Sequence, residues 1–152
     1  VGIALKQRHL TLVTAESCTG GGLAYWVTSI PGSSLWFERG FVTYSNTAKQ
    51  EMLGVSANTL TTHGAVSESI AREMAEGALQ HSHADVSLAV TGIAGPDGGT
   101  PEKPVGTVWF AWTGKALATQ AKSQLFKGDR LAIRKQASIF VLQDLLELLR
   151  KP

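Results

Sequence analysis

The stretch "LTLVTAESCTGGG" (residues 10–22) changes character at a single point. Its first part, residues 10–16, is a short run rich in β-branched residues and is typical of a buried strand. Ser17 follows directly, and three consecutive glycines begin at Gly20. Next comes the apolar segment "LAYWVTSI", so we predict a buried helix over residues 19–29. A strand that turns at once into a helix is the first unit of an α/β fold.

The rest of the chain continues this alternation. The sequence predicts helices at residues 1–8, 45–53 and 66–82, and a last helix that is capped by Asp129 and ends near Arg150. It also predicts strands at 36–44 and 85–92, and a hairpin of strands at 107–113 and 116–126. The Gly/Pro-rich residues 93–106 predict a long loop. We therefore expect one α/β domain over residues 1–152, a three-layer α/β/α sandwich with a mixed sheet.

Composition excludes several classes of protein. The 152 residues are 43% hydrophobic and 17% charged, as in ordinary globular domains. The net charge of +2 is spread along the chain, so it indicates neither a nucleic-acid partner nor a membrane surface. A single cysteine cannot form an internal disulfide, which favours a cytoplasmic protein. Because the chain opens on Val1 and not on Met, we expect a segment upstream, and the full-length architecture stays open.

Ser17 is the first candidate for chemistry. If a helix starts directly after it, the backbone N–H groups near Thr19 and Gly20 point into the space beside its hydroxyl, and that space suits an anion. Such a serine is either a nucleophile with an oxyanion hole or part of a phosphate cradle. It is equally consistent with a helix N-cap beside glycines that serve close packing.

The segment "YSNTAK" supplies a candidate base for that serine. If Ser45 or Asn46 caps the next helix, Lys49 falls in the helix's first turn, where the dipole lowers the pKa of a lysine. A lysine with a lowered pKa can take the proton of Ser17, and the phenol of Tyr44 can relay it. The alternative is a strand-end aromatic residue and a solvated surface charge.

Five separated motifs extend these observations to almost the whole chain, from about Leu10 to Leu149. They are "TAESCTGG", "YSNTAKQEMLGV", "GAVSESIAREMAEGA", "AVTGIAGPDGGTPEKPVGTVWFA" and "FKGDRLAIR". In this order they resemble the C-terminal family of the competence/damage-inducible protein CinA. The resemblance implies an α/β/α sandwich that hydrolyses the carboxamide of nicotinamide mononucleotide to nicotinate mononucleotide and ammonia, without metal or cofactor. It carries the family's serine, lysine and tyrosine onto Ser17, Lys49 and Tyr44.

The resembled substrate has a 5′-phosphate, which needs a guanidinium or a nest of backbone amides. Two arginines of the last predicted helix lie one turn apart on the same face, and the third predicted strand ends in a threonine and a glycine. The residues predicted to bind substrate are Asn46, Thr91, Gly92, Gly95, Arg130 and Arg134. The partners we expect are a small-molecule nucleotide and further copies of the chain in a dimer or larger homo-oligomer.

The same residues allow other assignments. Cys18 is intrinsically the better nucleophile, with His63 as a partner, but a free cysteine is more often a small buried side chain. The four histidines form no metal-ligand spacing with it. The glycines of "TGIAGPDGG" are wrongly spaced for a dinucleotide fingerprint. A non-catalytic nucleotide-binding or regulatory module stays open as an alternative, and a purely structural interaction domain leaves the long loop unexplained.

Overall fold

The structure of the protein is a computed structural model that describes every residue from Val1 to Pro152. The strands are β1 (Leu12–Glu16), β2 (Phe37–Val42), β3 (Val86–Gly92), β4 (Thr107–Gly114) and β5 (Leu117–Leu125). The helices are α1 (Gly2–Gln7), α2 (Gly22–Thr28), α3 (Asn46–Leu53), α4 (Ala57–His63), α5 (Glu68–Gln80) and α6 (Arg130–Arg150), with a short 3₁₀ helix at Ser33–Leu35. No helix combines the length and the apolar character that crossing a bilayer requires.

The five strands form one mixed sheet in the order β2-β1-β3-β4-β5. Strand β1 pairs in parallel with β2 on one side and with β3 on the other, whereas β4 and β5 pair in antiparallel fashion as a hairpin. Since β1, β2 and β3 run the same way, their carboxyl ends meet at one edge of the sheet. Open α/β sheets place ligands at this edge.

Each face of the sheet is covered by helices, which confirms the predicted three-layer sandwich. One face carries the larger apolar side chains and packs under α1, α2 and α6; it includes Leu12, Leu88, Val90, Phe110 and Trp112. The other face carries smaller ones and packs under α3, α4 and α5; it includes Val13, Ala15, Ala89 and Ala111. The alternation along each strand follows from the two-residue period of a pleated strand. Because these side chains are small, α5 lies close to the sheet and contacts β1, β3, β4 and β5.

A glycine lets the helix that carries Lys49 pack closely. A Cβ atom at Gly77 of α5 would overlap the carbonyl oxygen of Leu53, the last residue of α3. Only a residue without a side chain permits this approach, so α3 is held against α5 by direct backbone contact. Its position relative to the edge of the sheet is thereby set.

Some element boundaries differ from the predictions. Helix α2 begins at Gly22 and not at residue 19, because Gly20 and Gly21 have φ angles of 58° and 98° and form a turn. Strand β2 ends at Val42, two residues before Tyr44. Helix α4 was not predicted: its sequence "ANTLTTH" buries only Leu60 and has no apolar period, so its Ser56 cap is its main local signal.

Candidate active site

Ser17 lies at the carboxyl end of β1, between the ends of β2 and β3. Its backbone N–H donates to the carbonyl of Val90 at 2.9 Å, and the Thr43 N–H donates to the carbonyl of Glu16 at 2.8 Å. The sheet's hydrogen bonds thus continue past the strand on both sides. Ser17 is therefore fixed at the edge of the sheet, with 8% of its surface exposed.

Lys49 reaches the serine from α3. The hydroxyl of Ser45 caps this helix by accepting from the Ala48 N–H at 3.0 Å, as the sequence predicted. Lys49 and Leu53 are one turn apart and form the helix's buried face. The Lys49 Nζ lies 2.9 Å from the Ser17 Oγ. Two residues far apart in sequence, singled out for the same chemistry, are thus in direct contact.

The surroundings of the Lys49 amine disfavour its charged form. Only 1% of the residue is exposed, and no carboxylate lies within 4.0 Å of its Nζ. Burial lowers the pKa of Lys49 below its usual value. The prediction named the helix dipole as the cause, but Lys49 is the fourth residue of α3 and desolvation is the larger effect.

The partners of the Lys49 amine also suit a neutral lysine. Its Nζ lies 2.9 Å from the carbonyl oxygen of Thr43 and 3.2 Å from that of Tyr44. A neutral amine has two N–H groups and one lone pair. If the two N–H groups donate to the two carbonyls, the lone pair is left for the hydroxyl of Ser17. This is the arrangement that a base for the serine requires.

The Tyr44 side chain turns to a different partner. Its hydroxyl accepts from the Arg130 Nη2 at 2.9 Å, while the Arg130 Nη1 donates to the carbonyl of Gly95 at 2.7 Å. The phenol forms no hydrogen bond with Ser17 or Lys49. The structure therefore brings Tyr44 to the site through its backbone carbonyl and its pairing with Arg130.

These groups surround a cavity of about 290 Å³ at the edge of the sheet. Eight of the predicted site residues line it: Ser17, Tyr44, Asn46, Lys49, Thr91, Gly92, Gly95 and Arg130. Val66, Ile93 and Asp97 also line it and were not predicted, because nothing in their type or spacing marks them. Thr19, Gly20 and Arg134 do not line it.

Two residues from the end of β3 are already engaged in the fold. The Thr91 hydroxyl donates to the carbonyl of Ala65 at 2.9 Å. A Cβ atom at Gly92 would lie 2.7 Å from the Cγ2 of Val108, so this glycine is required by the packing of β3 on β4. Both residues line the cavity, but the Thr91 hydroxyl is already bound and Gly92 has no side chain to offer a substrate.

The N-terminus of α2 is not available to a substrate, which corrects the expected source of the oxyanion donors. The Glu16 carboxylate is fully buried and accepts from the N–H groups of Leu23 at 2.8 Å and Ala24 at 3.0 Å. Charge-assisted hydrogen bonds of this kind contribute roughly 1.5 to 3 kcal/mol each. Sequence reasoning missed this residue, although an acidic side chain at the end of a buried strand must find partners.

The predicted Gly20 amide is engaged as well, since its N–H donates to the carbonyl of Ser17 at 3.0 Å. The N–H groups of Cys18 and Thr19, by contrast, donate to no other residue, although that of Cys18 lies beside its own thiol. They flank the serine on its C-terminal side. Of the two predicted amides, that of Thr19 is thus free and that of Gly20 is not.

Arg134 lies behind this turn and not in the cavity, which differs from its predicted place in a phosphate site. Its Nε donates to the carbonyl of Cys18 and its Nη2 to that of Thr19, both at 3.1 Å. These bonds hold its guanidinium on the α6 side of the turn. Arg130 is therefore the only one of the two predicted arginines that lines the cavity.

A comparison with protein-family models assigns the chain to a known family. The model of the CinA C-terminal domain matches residues 1–149. The chain belongs to the CinA C-terminal domain family. All five motifs of this CinA C-terminal domain contribute to the one cavity, through Ser17, Lys49, Val66, Thr91 and Arg130 respectively.

Individual members of the family match the chain closely. The nicotinamide-nucleotide amidohydrolase PncC of Escherichia coli strain K12 is 57% identical over 145 residues, which cover 95% of this chain and 88% of that protein. The CinA-like protein of Akkermansia muciniphila is 54% identical over 147 residues, which cover 97% of this chain but 36% of that protein. Among solved structures, the competence/damage inducible protein CihA from Agrobacterium tumefaciens has a TM-score of 0.94 and 45% identity, over 98% of this chain and 90% of that one.

The cysteine alternative gains no support within this CinA C-terminal domain. Burial raises the pKa of the Cys18 thiol to about 12, and a thiol that stays protonated is a poor nucleophile. Its suggested partner His63 ends α4 and does not line the cavity. No three histidine, cysteine or acidic side chains come close enough together to hold a metal ion.

Proposed function

We propose that this chain hydrolyses the carboxamide of nicotinamide mononucleotide, giving nicotinate mononucleotide and ammonia. The observation that carries the proposal is the 2.9 Å contact between the Ser17 Oγ and the buried Lys49 Nζ, two residues that line the cavity. The name of the E. coli relative, which matches nearly the whole chain, supports an enzyme of this class.

In the first half of the proposed reaction Ser17 attacks the carboxamide carbon. Neutral Lys49 takes the hydroxyl proton directly, because the two atoms are already within hydrogen-bond distance. A relay through Tyr44 would require its phenol to leave Arg130, so direct transfer is the route we propose. The resulting tetrahedral intermediate carries its negative charge on the former carbonyl oxygen.

The second half releases both products. Lys49, now an ammonium, gives its proton to the leaving nitrogen, and the C–N bond breaks to give ammonia and an ester of Ser17. Water then attacks the ester, and Lys49 takes a proton from that water, which gives a second tetrahedral intermediate. When this intermediate breaks down to the product acid, Lys49 returns the proton to the Ser17 oxygen. Every proton is thus moved by a single amine, and the scheme uses no group beyond the chain and water.

We assign the negative charge of both intermediates to the free N–H groups of Cys18 and Thr19. They lie directly after the nucleophile and donate to no other residue. Backbone amides placed in advance around a developing oxyanion are among the largest contributions to amide hydrolysis. The Arg130 guanidinium, which also lines the cavity, would bind the substrate phosphate, with Tyr44 and Gly95 orienting it.

The direct test is turnover of nicotinamide mononucleotide by the purified protein, with and without a chelator, followed by ammonia release. We expect ammonia and nicotinate mononucleotide in equal amounts, unchanged by the chelator. Saturable binding of the nucleotide without any ammonia would instead establish a nucleotide-binding module. Loss of turnover with the chelator would contradict a mechanism based on protein groups alone.

Replacing Arg130 with alanine tests the phosphate site. We expect a loss in kcat/KM of about 10- to 100-fold for nicotinamide mononucleotide, which corresponds to the roughly 1.5 to 3 kcal/mol of a charge-assisted contact. The unphosphorylated riboside should be unaffected. The measurement is kcat/KM for both substrates.

Lys127→Ala is the matched control, because it removes a nearby exposed positive charge that has no side-chain partner. We expect it to change neither substrate. Equal losses on both substrates in Arg130→Ala would mean that Arg130 acts through Tyr44 and Gly95 on the fold of the site. No loss on either would place the phosphate elsewhere.

A further inference from the structure

Arg134 commits its guanidinium to the backbone of the turn that carries the nucleophile. It extends from α6 to the carbonyls of Cys18 and Thr19, both at 3.1 Å, and forms no ion pair with any acidic side chain. An arginine that donates to two successive carbonyls fixes the orientation of two successive peptide planes. The turn follows Ser17 directly, so these planes lie next to the proposed reaction centre.

Because of the geometry of the peptide unit, this constraint also sets the direction in which the Thr19 N–H points. In a trans peptide the C=O and N–H bonds are coplanar and point in opposite directions. The carbonyl of Cys18 shares its peptide unit with the N–H of Thr19. Since Arg134 holds that carbonyl toward α6, the Thr19 N–H points away from α6. Neither Arg134 nor Thr19 lines the cavity, whereas Ser17 and Cys18, the two residues directly before Thr19, do.

Most of the other N–H groups between Ser17 and Ala24 already have an acceptor. Those of Leu23 and Ala24 are taken by the Glu16 carboxylate, and that of Gly20 by the carbonyl of Ser17. The oxyanion of the proposed reaction therefore depends on a short turn and not on a helix terminus. A turn that contains two glycines with positive φ needs an external constraint to hold one conformation.

We propose that Arg134 is a positioning residue of the active site, which aims the Thr19 N–H at the oxyanion and strengthens it as a donor. The strengthening follows because a cation bound to a carbonyl polarises its peptide unit and makes the N–H more positive. This inference rests on the proposed amidase function. It gives Arg134 an effect on the chemical step without contact to the substrate.

The test compares Arg134→Gln with Lys135→Gln, which removes the neighbouring exposed charge on α6 that has no side-chain partner. For Arg134→Gln we expect kcat on nicotinamide mononucleotide to fall about 10- to 100-fold, less than the loss of a whole oxyanion donor. KM should stay within about threefold of the value for the unaltered protein, because Arg134 is not among the residues that bind the substrate in the ground state. Lys135→Gln should behave as the unaltered protein.

A second measurement separates oxyanion alignment from general damage. The aldehyde analogue of the substrate forms a tetrahedral adduct with a serine, whereas the product nicotinate mononucleotide does not. In Arg134→Gln the affinity for the aldehyde should fall by about the same factor as kcat, and the affinity for the product should not change. A lysine can donate to one carbonyl at a time, so the kcat of Arg134→Lys should lie between those of Arg134→Gln and the unaltered protein. If Arg134→Gln does not fold, Arg134→Lys is used for the test.

Three outcomes would overturn the inference. They are an unchanged kcat with an unchanged KM in Arg134→Gln, an unchanged kcat with a raised KM, and equal losses of affinity for the aldehyde and the product. Failure of the proposed function is distinguishable from all three, because the unaltered protein would then release no ammonia.

Discussion

Ser17→Ala is expected to release no measurable ammonia from nicotinamide mononucleotide. The hydroxyl is the only nucleophile in contact with the buried amine, so its removal leaves the carboxamide without an attacking group. In enzymes that use a serine nucleophile, such a change lowers kcat by on the order of 10⁴-fold or more. Binding of the product should be retained, because Ser17 is only one of many residues that line the cavity and the others are unchanged. Ammonia release and product affinity, measured on the same sample, check both parts.

Cys18→Ala is the matched control for this change. The two residues are adjacent and both line the cavity, but burial keeps the Cys18 thiol protonated by raising its pKa to about 12. The role proposed for Cys18 uses its backbone N–H, which alanine preserves. We expect Cys18→Ala to keep most of its activity. An inactive Cys18→Ala beside an active Ser17→Ala would reverse the assignment of the nucleophile.

The fold and the central contact of the site could be predicted from local patterns. Ser17 follows a buried strand, and Lys49 follows a capped helix start after another strand. Once those two strands are neighbours in parallel, both residues must come to the same edge of the sheet. The cap at Ser45 and the inward spacing of Lys49 and Leu53 then bring the amine to the serine.

The supporting shell of the site could not be predicted in the same way. Glu16 accepts from backbone N–H groups in the first turn of α2, and Arg134 donates to backbone carbonyls of the turn before that helix. Such contacts leave no sequence motif. The three glycines were interpreted as the start of a helix, but two of them adopt positive φ and delay it to Gly22. Because of that delay of one turn, the backbone amides nearest Ser17 belong to a turn and not to a helix terminus.

Replacing Lys49 with methionine should lower kcat by about 10²- to 10⁴-fold, the usual contribution of a general base. Methionine fills similar space but cannot accept the proton of Ser17. Lys103→Met is the matched control, since the Lys103 side chain donates only to the carbonyl of His63 and should be dispensable for turnover. Full activity in Lys49→Met would exclude the base role. Partial restoration by an added primary amine would support it, because the amine would supply the missing lone pair.

The pH dependence of both rate and stability should identify Lys49 as the titrating group. Only its neutral form can act as base, so kcat/KM should rise with pH through an apparent pKa below the ~10.4 of a free lysine. Unfolding returns Lys49 to that ordinary value. Between the two pKa values the unfolded chain binds more protons than the folded one, and the free energy of unfolding therefore rises with pH. In Lys49→Met both slopes should disappear. If the free energy of unfolding of Lys49→Met still rises with pH over the same range, another group is responsible for the titration. If kcat/KM of the unaltered protein is flat from about pH 6 to 9, the base does not have a lowered pKa.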